Sequence, residues 1–527
     1  MKHLYLSAIL AISLFSCDTG QQVSETDSHH NETDYTEAHR PRFHFTPPSH
    51  WMNDPNGMVY HEGEYHLFYQ HYPDGTIWGP MHWGHAVSTD LVNWEHLPIA
   101  LYPDSLGMIF SGSAVIDTDN TSGLGRDNIA PMVAIYTYHD AEGEKAGRKD
   151  YQTQGIAYSL NNGRDWEKYA GNPVLQNPGI EDFRDPKVMW YEKDSKWVMS
   201  LAVKDRISFY SSPNLIDWTH DSDFGSNLGA QGGVWECPDL FTLKVEGTDE
   251  EKWVLLVSIN PGGPNKGSAT QYFIGDYDGK KFTPDADWPL SEEGVWIDYG
   301  RDNYAGVTWH KGPKEDHRRI FMGWMSNWDY ANEVPTESWR SAMTIARTLS
   351  LENTEKGIRL VSTPVEEMEK LHDNSQVLKA QKLEGEFSIS DHLSSNTPTF
   401  DLMLELEAIS PDADFYLELS NNRDQKLLIG YEANSRRYYI DRTAAGNNDF
   451  SDQFAGIQYG PRFTSASEFS LRFIVDVASV EFFADGGKTT MTSIFFPDEP
   501  FTNITLHSKN ESIQIQKGRF SEVKTME

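Results

Sequence analysis

From Phe43 onward the chain consists of short apolar and β-branched runs broken by Gly, Asn, Asp and Pro. Glu64-Tyr65-His66-Leu67-Phe68-Tyr69, Met132 to Tyr138 and Trp253 to Ile259 have the length and make-up of strands, and no run sustains a long helical period. A degenerate repeat punctuates them. Ser88-Thr89-Asp90-Leu91-Val92-Asn93-Trp94 is echoed by Ser159-Leu160-Asn161-Asn162-Gly163-Arg164-Asp165-Trp166 and by Ser212-Pro213-Asn214-Leu215-Ile216-Asp217-Trp218. Asp276-Tyr277-Asp278-Gly279-Lys280-Lys281-Phe282 is a weaker copy. Each reads as a strand, a tight polar turn and an aromatic opening the next strand. A spacing of roughly fifty to seventy residues suits four-stranded propeller blades better than a sandwich.

The repeat fades after Leu360, which bounds a propeller domain over residues 41–362. Thr363-Pro364-Val365-Glu366 then has the form of a capping box with Pro at the first helical position. Val365, Met368 and Leu371 give one apolar stripe, so a linker helix is predicted over 363–375. Beyond it, Phe400 to Leu406 and Ser470 to Val475 alternate with period two. That pattern predicts a two-sheet sandwich over 376–527, each sheet with one wet face. The expected fold class is all-β.

The amino end differs. Lys2 and His3 precede an apolar run, Leu4 to Phe15, too short to span a bilayer and ending in Leu14-Phe15-Ser16-Cys17. Residues 1–17 read as a lipoprotein signal whose Cys17 carries the lipid. Residues 18–40 are polar, acidic and poor in apolar side chains, as a flexible tether would be. The chain is therefore expected to be exported and held at a bacterial membrane by its lipid alone. The remaining cysteine is Cys237, so a lipidated Cys17 leaves no intramolecular disulfide.

The 527 residues carry 44 basic and 79 acidic side chains, a formal charge of −35. No basic run occurs, which excludes nucleic acid and other polyanions as partners and fits a neutral substrate. The 16 Trp, 24 Tyr and 26 Phe could face sugars or fill β-cores.

Three carboxylates stand in dense polar–aromatic surroundings. Asp54 lies in His50-Trp51-Met52-Asn53-Asp54-Pro55-Asn56-Gly57, where Pro55 stiffens the backbone and Gly57 permits a turn. Asp185 lies in Glu181-Asp182-Phe183-Arg184-Asp185-Pro186, beside a guanidinium able to grip a carboxylate or sugar hydroxyls. Glu236 lies in Trp235-Glu236-Cys237-Pro238-Asp239, where apolar flanks would favour the proton-carrying form a general acid needs. Read singly, the first segment is equally well a good turn, the second a structural Arg–Asp turn and the third a loop with a solvated Glu.

In this order, Trp-Met-Asn-Asp-Pro-Asn-Gly, Phe-Arg-Asp-Pro and Glu-Cys-Pro-Asp resemble the signature of glycoside hydrolase family 32, the family of invertases, inulinases and levanases. Phe68-Tyr69-Gln70, Trp78 to Ala86, Phe110-Ser111-Gly112-Ser113 and Gly323 to Trp328 are similar to that family as well. The resemblance implies five blades followed by a sandwich. It implies a retaining cleavage of β-fructofuranosidic bonds, in levan, inulin or sucrose, with release of terminal fructose. Asp54 would be nucleophile, Glu236 acid/base and Asp185 stabiliser of the transition state. Trp51, Asn53, Gln70, Trp78, Phe110, Ser111, Arg184 and Trp324 would bind substrate. No cofactor or metal is implied, and His82 and His85 read as structural. An endo-levanase, a fructosyltransferase or a sugar-binding propeller without turnover are the competing readings.

Overall fold

The computed structural model describes residues 37–525 except Glu292. Cys17, the apolar run before it and residues 18–36 of the expected tether lie outside the described residues. Ordered chain begins before Phe43. Arg40 is buried, donating to Thr46 Oγ1 at 3.0 Å and to the Pro47 carbonyl at 2.8 Å, with its guanidinium 4.4 Å from the Trp339 ring. Polarity alone does not reveal that a single Arg can satisfy the carbonyls of a Pro-Pro turn.

Five antiparallel sheets follow in sequence as blades I to V. Their inner strands are His50–His61, Met108–Ile116, Phe183–Tyr191, Val234–Lys244 and Tyr304–Thr308. Each inner strand abuts the next, and the fifth abuts the first, so the five close a ring. A short segment, Trp339–Arg340, pairs in parallel with His50 and Trp51 and joins blade V to blade I.

Within a blade the strands meander outward. The inner strand therefore starts on one face of the disc, here called the mouth. The second-to-third turns and the connections between blades share that face; the third-to-fourth turns lie on the opposite one. The sequence repeats are those third-to-fourth turns, between His82–Ser88 and Glu95–Leu101, Gln152–Ser159 and Glu167–Lys168, and Arg206–Ser212 and Thr219–Phe224. Their chemistry recurs. Ser88, Ser159 and Ser212 hydroxyls accept from the amides of Leu91, Gly163 and Asn214 at 2.8, 2.9 and 3.1 Å. Asp90, Asn161 and Asn214 accept from Asn93, Asp165 and Asp217 amides, each at 2.9 Å. The polar residues thus replace ladder bonds with side-chain-to-backbone bonds, as Ser, Asn and Asp do in turns.

The expected linker helix is a single 3-10 stretch, Glu366–Leu371. Thr363 and Pro364 finish the strand Gly357–Pro364, opposite Thr348 and Arg347, and Val365 makes no side-chain cap. The capping-box pattern is here a strand ending. The apolar stripe is genuine, since Val365, Met368 and Leu371 are all buried, and the chain is already a strand again at His372–Leu378.

The carboxy-terminal region is a sandwich whose two layers form one continuous hydrogen-bonded sheet. The strand Asn503–Val523 is shared: its first part pairs with Phe415–Ser420, its second with Phe400–Ala408. Buried ion pairs bind sandwich to propeller. Arg347 of blade V meets Asp298 at 2.9 Å and also pairs with Glu481 of the sandwich, while His44 bridges Asp476 and Glu481 at 2.8 and 2.9 Å. Among the described residues no helix is long and apolar enough to cross a membrane.

Candidate active site

Each inner strand is irregular near the mouth. The ladder shifts between Asn53 and Pro55, between Ile109 and Gly112, and opposite Asp185-Pro186. It shifts again between Glu236 and Asp239, and between Tyr304 and Val307. A bulge bends a strand and re-aims its side chains. Here five bulges turn Asp54, Ser111, Asp185, Glu236 and Tyr304 toward the ring axis. Asp185, Cys237 and Ala305 adopt left-handed backbone at φ 62, 45 and 52°, as does neighbouring Asp182 at φ 54°. Such conformations in non-glycine residues cost of order 1 kcal/mol or more each and gather at functional sites.

The result is a cavity of about 260 Å³ lined by Asn53, Asp54, Gln70, Trp78, Phe110, Ser111, Arg184, Asp185 and Glu236. His139, Glu144, Gln152, Asp182 and Trp328 complete its wall. Nine of the eleven residues expected from the sequence in catalysis and substrate binding line it. Trp51 and Trp324 do not. Both are fully buried behind Trp328, with ring centroids 5.8 and 4.9 Å from it. The Trp51 indole donates to Asn53 Oδ1 at 2.7 Å and so orients a residue that does line the cavity.

Asp54 Oδ2 accepts from the Ser111 hydroxyl at 2.9 Å and lies 3.7 Å from Cys237 Sγ. Its Oδ1 is buried with no donor in hydrogen-bonding geometry. Burial pushes this carboxyl up to about 6, the charge of Glu236 adds to the rise, and the Asn53 and Ser111 side chains partly offset it. Asp185 Oδ2 accepts from the Cys237 amide at 3.1 Å and lies 3.6 Å from its Sγ. Burial raises Asp185 too, against the pull of Arg184 and with the push of Glu236 and Asp54.

Arg184 reaches Glu236 Oε1 through Nε and Nη2 at 3.1 and 2.9 Å and Asp182 through Nη1 at 2.6 Å. The Tyr304 hydroxyl donates to Glu236 Oε2. The apolar flanks expected around Glu236 are not its environment. Strand alternation sends Trp235 the other way, where its indole donates to the Ala230 carbonyl at 3.1 Å, and the Cys237 thiol faces the two aspartates.

Tyr304, His139, Glu144, Gln152, Asp182 and Trp328 are not among the residues expected from the sequence. Asp182 and Trp328 stand inside quoted motifs and were within reach of them; Tyr304 and His139 have no such marker. His139 stacks on Phe110 with ring centroids 4.3 Å apart, and burial beside Arg184 drives it down to about 4, so the wall it contributes is a neutral imidazole. His85 is buried with its Nε2 3.0 Å from His66 Nδ1, and His82 bonds the Pro80 carbonyl at 3.0 Å. Among the described residues no three His, Cys, Asp or Glu side chains are placed to hold a metal ion.

A ring of five four-stranded blades with three carboxylates at its mouth, followed by a sandwich, defines a class of glycosidase. Two family models match, the glycosyl hydrolases family 32 N-terminal domain over residues 44–364 and the family 32 C terminal over 367–524. The chain belongs to glycoside hydrolase family 32. It is 47% identical over 489 residues to a levanase of Bacillus subtilis, covering 92% of this chain and 70% of the relative. It is 40% identical to an extracellular exo-inulinase of Aspergillus niger, covering 90% and 92%. The crystal structure of the exo-inulinase of Aspergillus awamori superposes with a TM-score of 0.86 at 37% identity, covering 93% of this chain and 99% of that one.

Proposed function

We propose that this enzyme hydrolyses the β-fructofuranosidic bonds of fructans and of sucrose, releasing terminal fructose with retention at the anomeric carbon. The observation that carries the reading is the convergence of Asp54, Asp185 and Glu236 on one cavity, with the Ser111 hydroxyl holding Asp54 Oδ2. In the first step Asp54 attacks the anomeric carbon while Glu236 gives a proton to the departing glycosidic oxygen. In the second, Glu236 takes a proton from water, whose oxygen displaces Asp54. Asp185 stabilises positive charge on the ring and accepts from its hydroxyls. Tyr304 and Arg184 fix the Glu236 carboxyl that handles the proton in both steps.

The size of the cavity suits one sugar ring rather than a threaded chain, which favours exo action. The relatives named levanase and exo-inulinase agree with a fructan substrate. Asp54→Asn and Glu236→Gln should each lower kcat by several orders of magnitude while substrate still binds; near-normal turnover in either variant removes its assigned role. Thin-layer chromatography of levan and inulin digests should show fructose alone, whereas a ladder of oligomers means endo cleavage. Export and lipidation at Cys17 complete the proposal, supported by the apolar run before that cysteine and by relatives described as extracellular. A Cys17→Ala variant that still partitions with membranes contradicts the anchor.

A further inference from the structure

Beside the cavity the surface is unusually apolar. Four of the nine large hydrophobic side chains exposed among the described residues sit on two neighbouring mouth loops. Ile77 and Trp78, 61% and 38% exposed, lie on the second-to-third turn of blade I. Tyr102 and Leu106, 55% and 38% exposed, lie on the connection from blade I to blade II. The two loops are joined. The Ile109 amide donates to the Met81 carbonyl at 3.0 Å, and the Tyr102 ring meets His82 edge-on at 5.4 Å. The patch is continuous with the site: Trp78 lines the cavity and meets Phe110 edge-on at 6.1 Å. Gly107, next to Leu106, lies so close to the His139 carbonyl that a Cβ there would stand 2.3 Å from its oxygen.

The loop is also held firmly. Lys168 donates to the Tyr102 carbonyl at 2.5 Å and to Asp104 Oδ2 at 2.6 Å, and the Tyr138 hydroxyl donates to the same Asp104 oxygen at 3.0 Å. Asp104 and Gly107 close the turn with paired backbone bonds, each 3.1 Å. A rigid loop presenting an exposed tyrosine binds at low ordering cost.

We propose that Tyr102, Leu106 and Ile77 form a platform for fructosyl units lying beyond the scissile bond, so that the enzyme grips a polymer more tightly than a disaccharide. The occupant is a neutral fructan chain, whose C–H faces stack on apolar rings. The inference rests on the proposed β-fructosidase reading and extends it outward from the cavity. Sucrose has a single residue past the cleaved bond and so serves as the control that lacks the further fructosyl units.

The test compares the wild type with the Tyr102→Ala/Leu106→Ala double variant on levan, inulin and sucrose. On the polymers KM should rise about three- to tenfold, as loss of one stacked apolar contact predicts, with kcat unchanged. On sucrose both constants should stay at wild-type values, and Tyr102→Phe should restore polymer binding. Equal changes on polymers and sucrose, or no change on any, overturn the platform. So does a wild-type dimer that dissociates in the double variant without a change in the polymer constants, since the patch then serves a second copy. If the wild type turns over none of the three substrates, the β-fructosidase reading fails first.

Discussion

At Asp54 two demands oppose each other. The nucleophilic role proposed for it requires ionisation, yet burial and the nearby Glu236 make its charge expensive and lift the carboxyl from 3.8 to about 6. The acid limb of kcat/KM should therefore fall near pH 6, and a profile still flat at pH 4.5 would contradict that. The same shift acts on stability. A carboxyl that binds its proton more tightly folded than unfolded favours the fold while protonated. That contribution is complete below about pH 4 and is lost as pH rises through about 6. Asp54→Asn should thus raise Tm at pH 7.5 while abolishing turnover, with the gain vanishing near pH 4; equal Tm values at pH 7.5 would refute it. All three carboxylates were legible because their motifs surround them. Tyr304 was not, because its contact with Glu236 crosses between blades and leaves no local pattern. The real neighbours of Glu236 were hidden likewise: Arg184 and Tyr304 come from the adjoining blades, while strand alternation sends Trp235 to the opposite face.

Among the elements, strands and their turns could be read directly, since period-two runs ending in Ser, Asn and Asp have few other solutions. Bulges could not, because one extra residue in an inner strand barely alters an apolar pattern. They nevertheless decide where the chemistry sits. Gly112 shows how tightly one is built: a Cβ there would stand 2.0 Å from the Ile135 carbonyl oxygen and 2.7 Å from Tyr136 Cα. Gly112→Ala should cost about 1–3 kcal/mol through overpacking and, by shifting Ser111 from Asp54, lower kcat more than tenfold. Chemical denaturation with activity assays checks both; a stable, fully active variant would show that the bulge tolerates change. The misread linker has the opposite lesson. Thr-Pro-Val-Glu fits a helix start and a strand end equally, and pairing with Arg347 and Thr348 chose the second.

Across the whole molecule, propeller and sandwich meet through charges buried together. His44, held between Asp476 and Glu481, is lifted to about 9 because those two acceptors outweigh the burial penalty on its charge. Facing it beyond Glu481 is Arg347, paired in turn with Asp298. A raised histidine stabilises fully below its unfolded value of 6.5, and that stability is lost as pH climbs through about 9. Tm should therefore drop steeply between pH 7 and 9.5 in the wild type. His44→Gln should start lower at pH 6.5 and change less across that range; parallel curves would rule out this linkage. Two stacked sheets were expected from alternation, but one strand serving both was not, since nothing in Asn503–Val523 marks where it crosses over. The direction of each blade has a practical side. Loops at Asn161–Gly163 and Asn214–Asp217 emerge from the side of the disc away from the substrate entrance. A coupling handle engineered there would let the enzyme be fixed to a solid support with its working side facing the bulk solution.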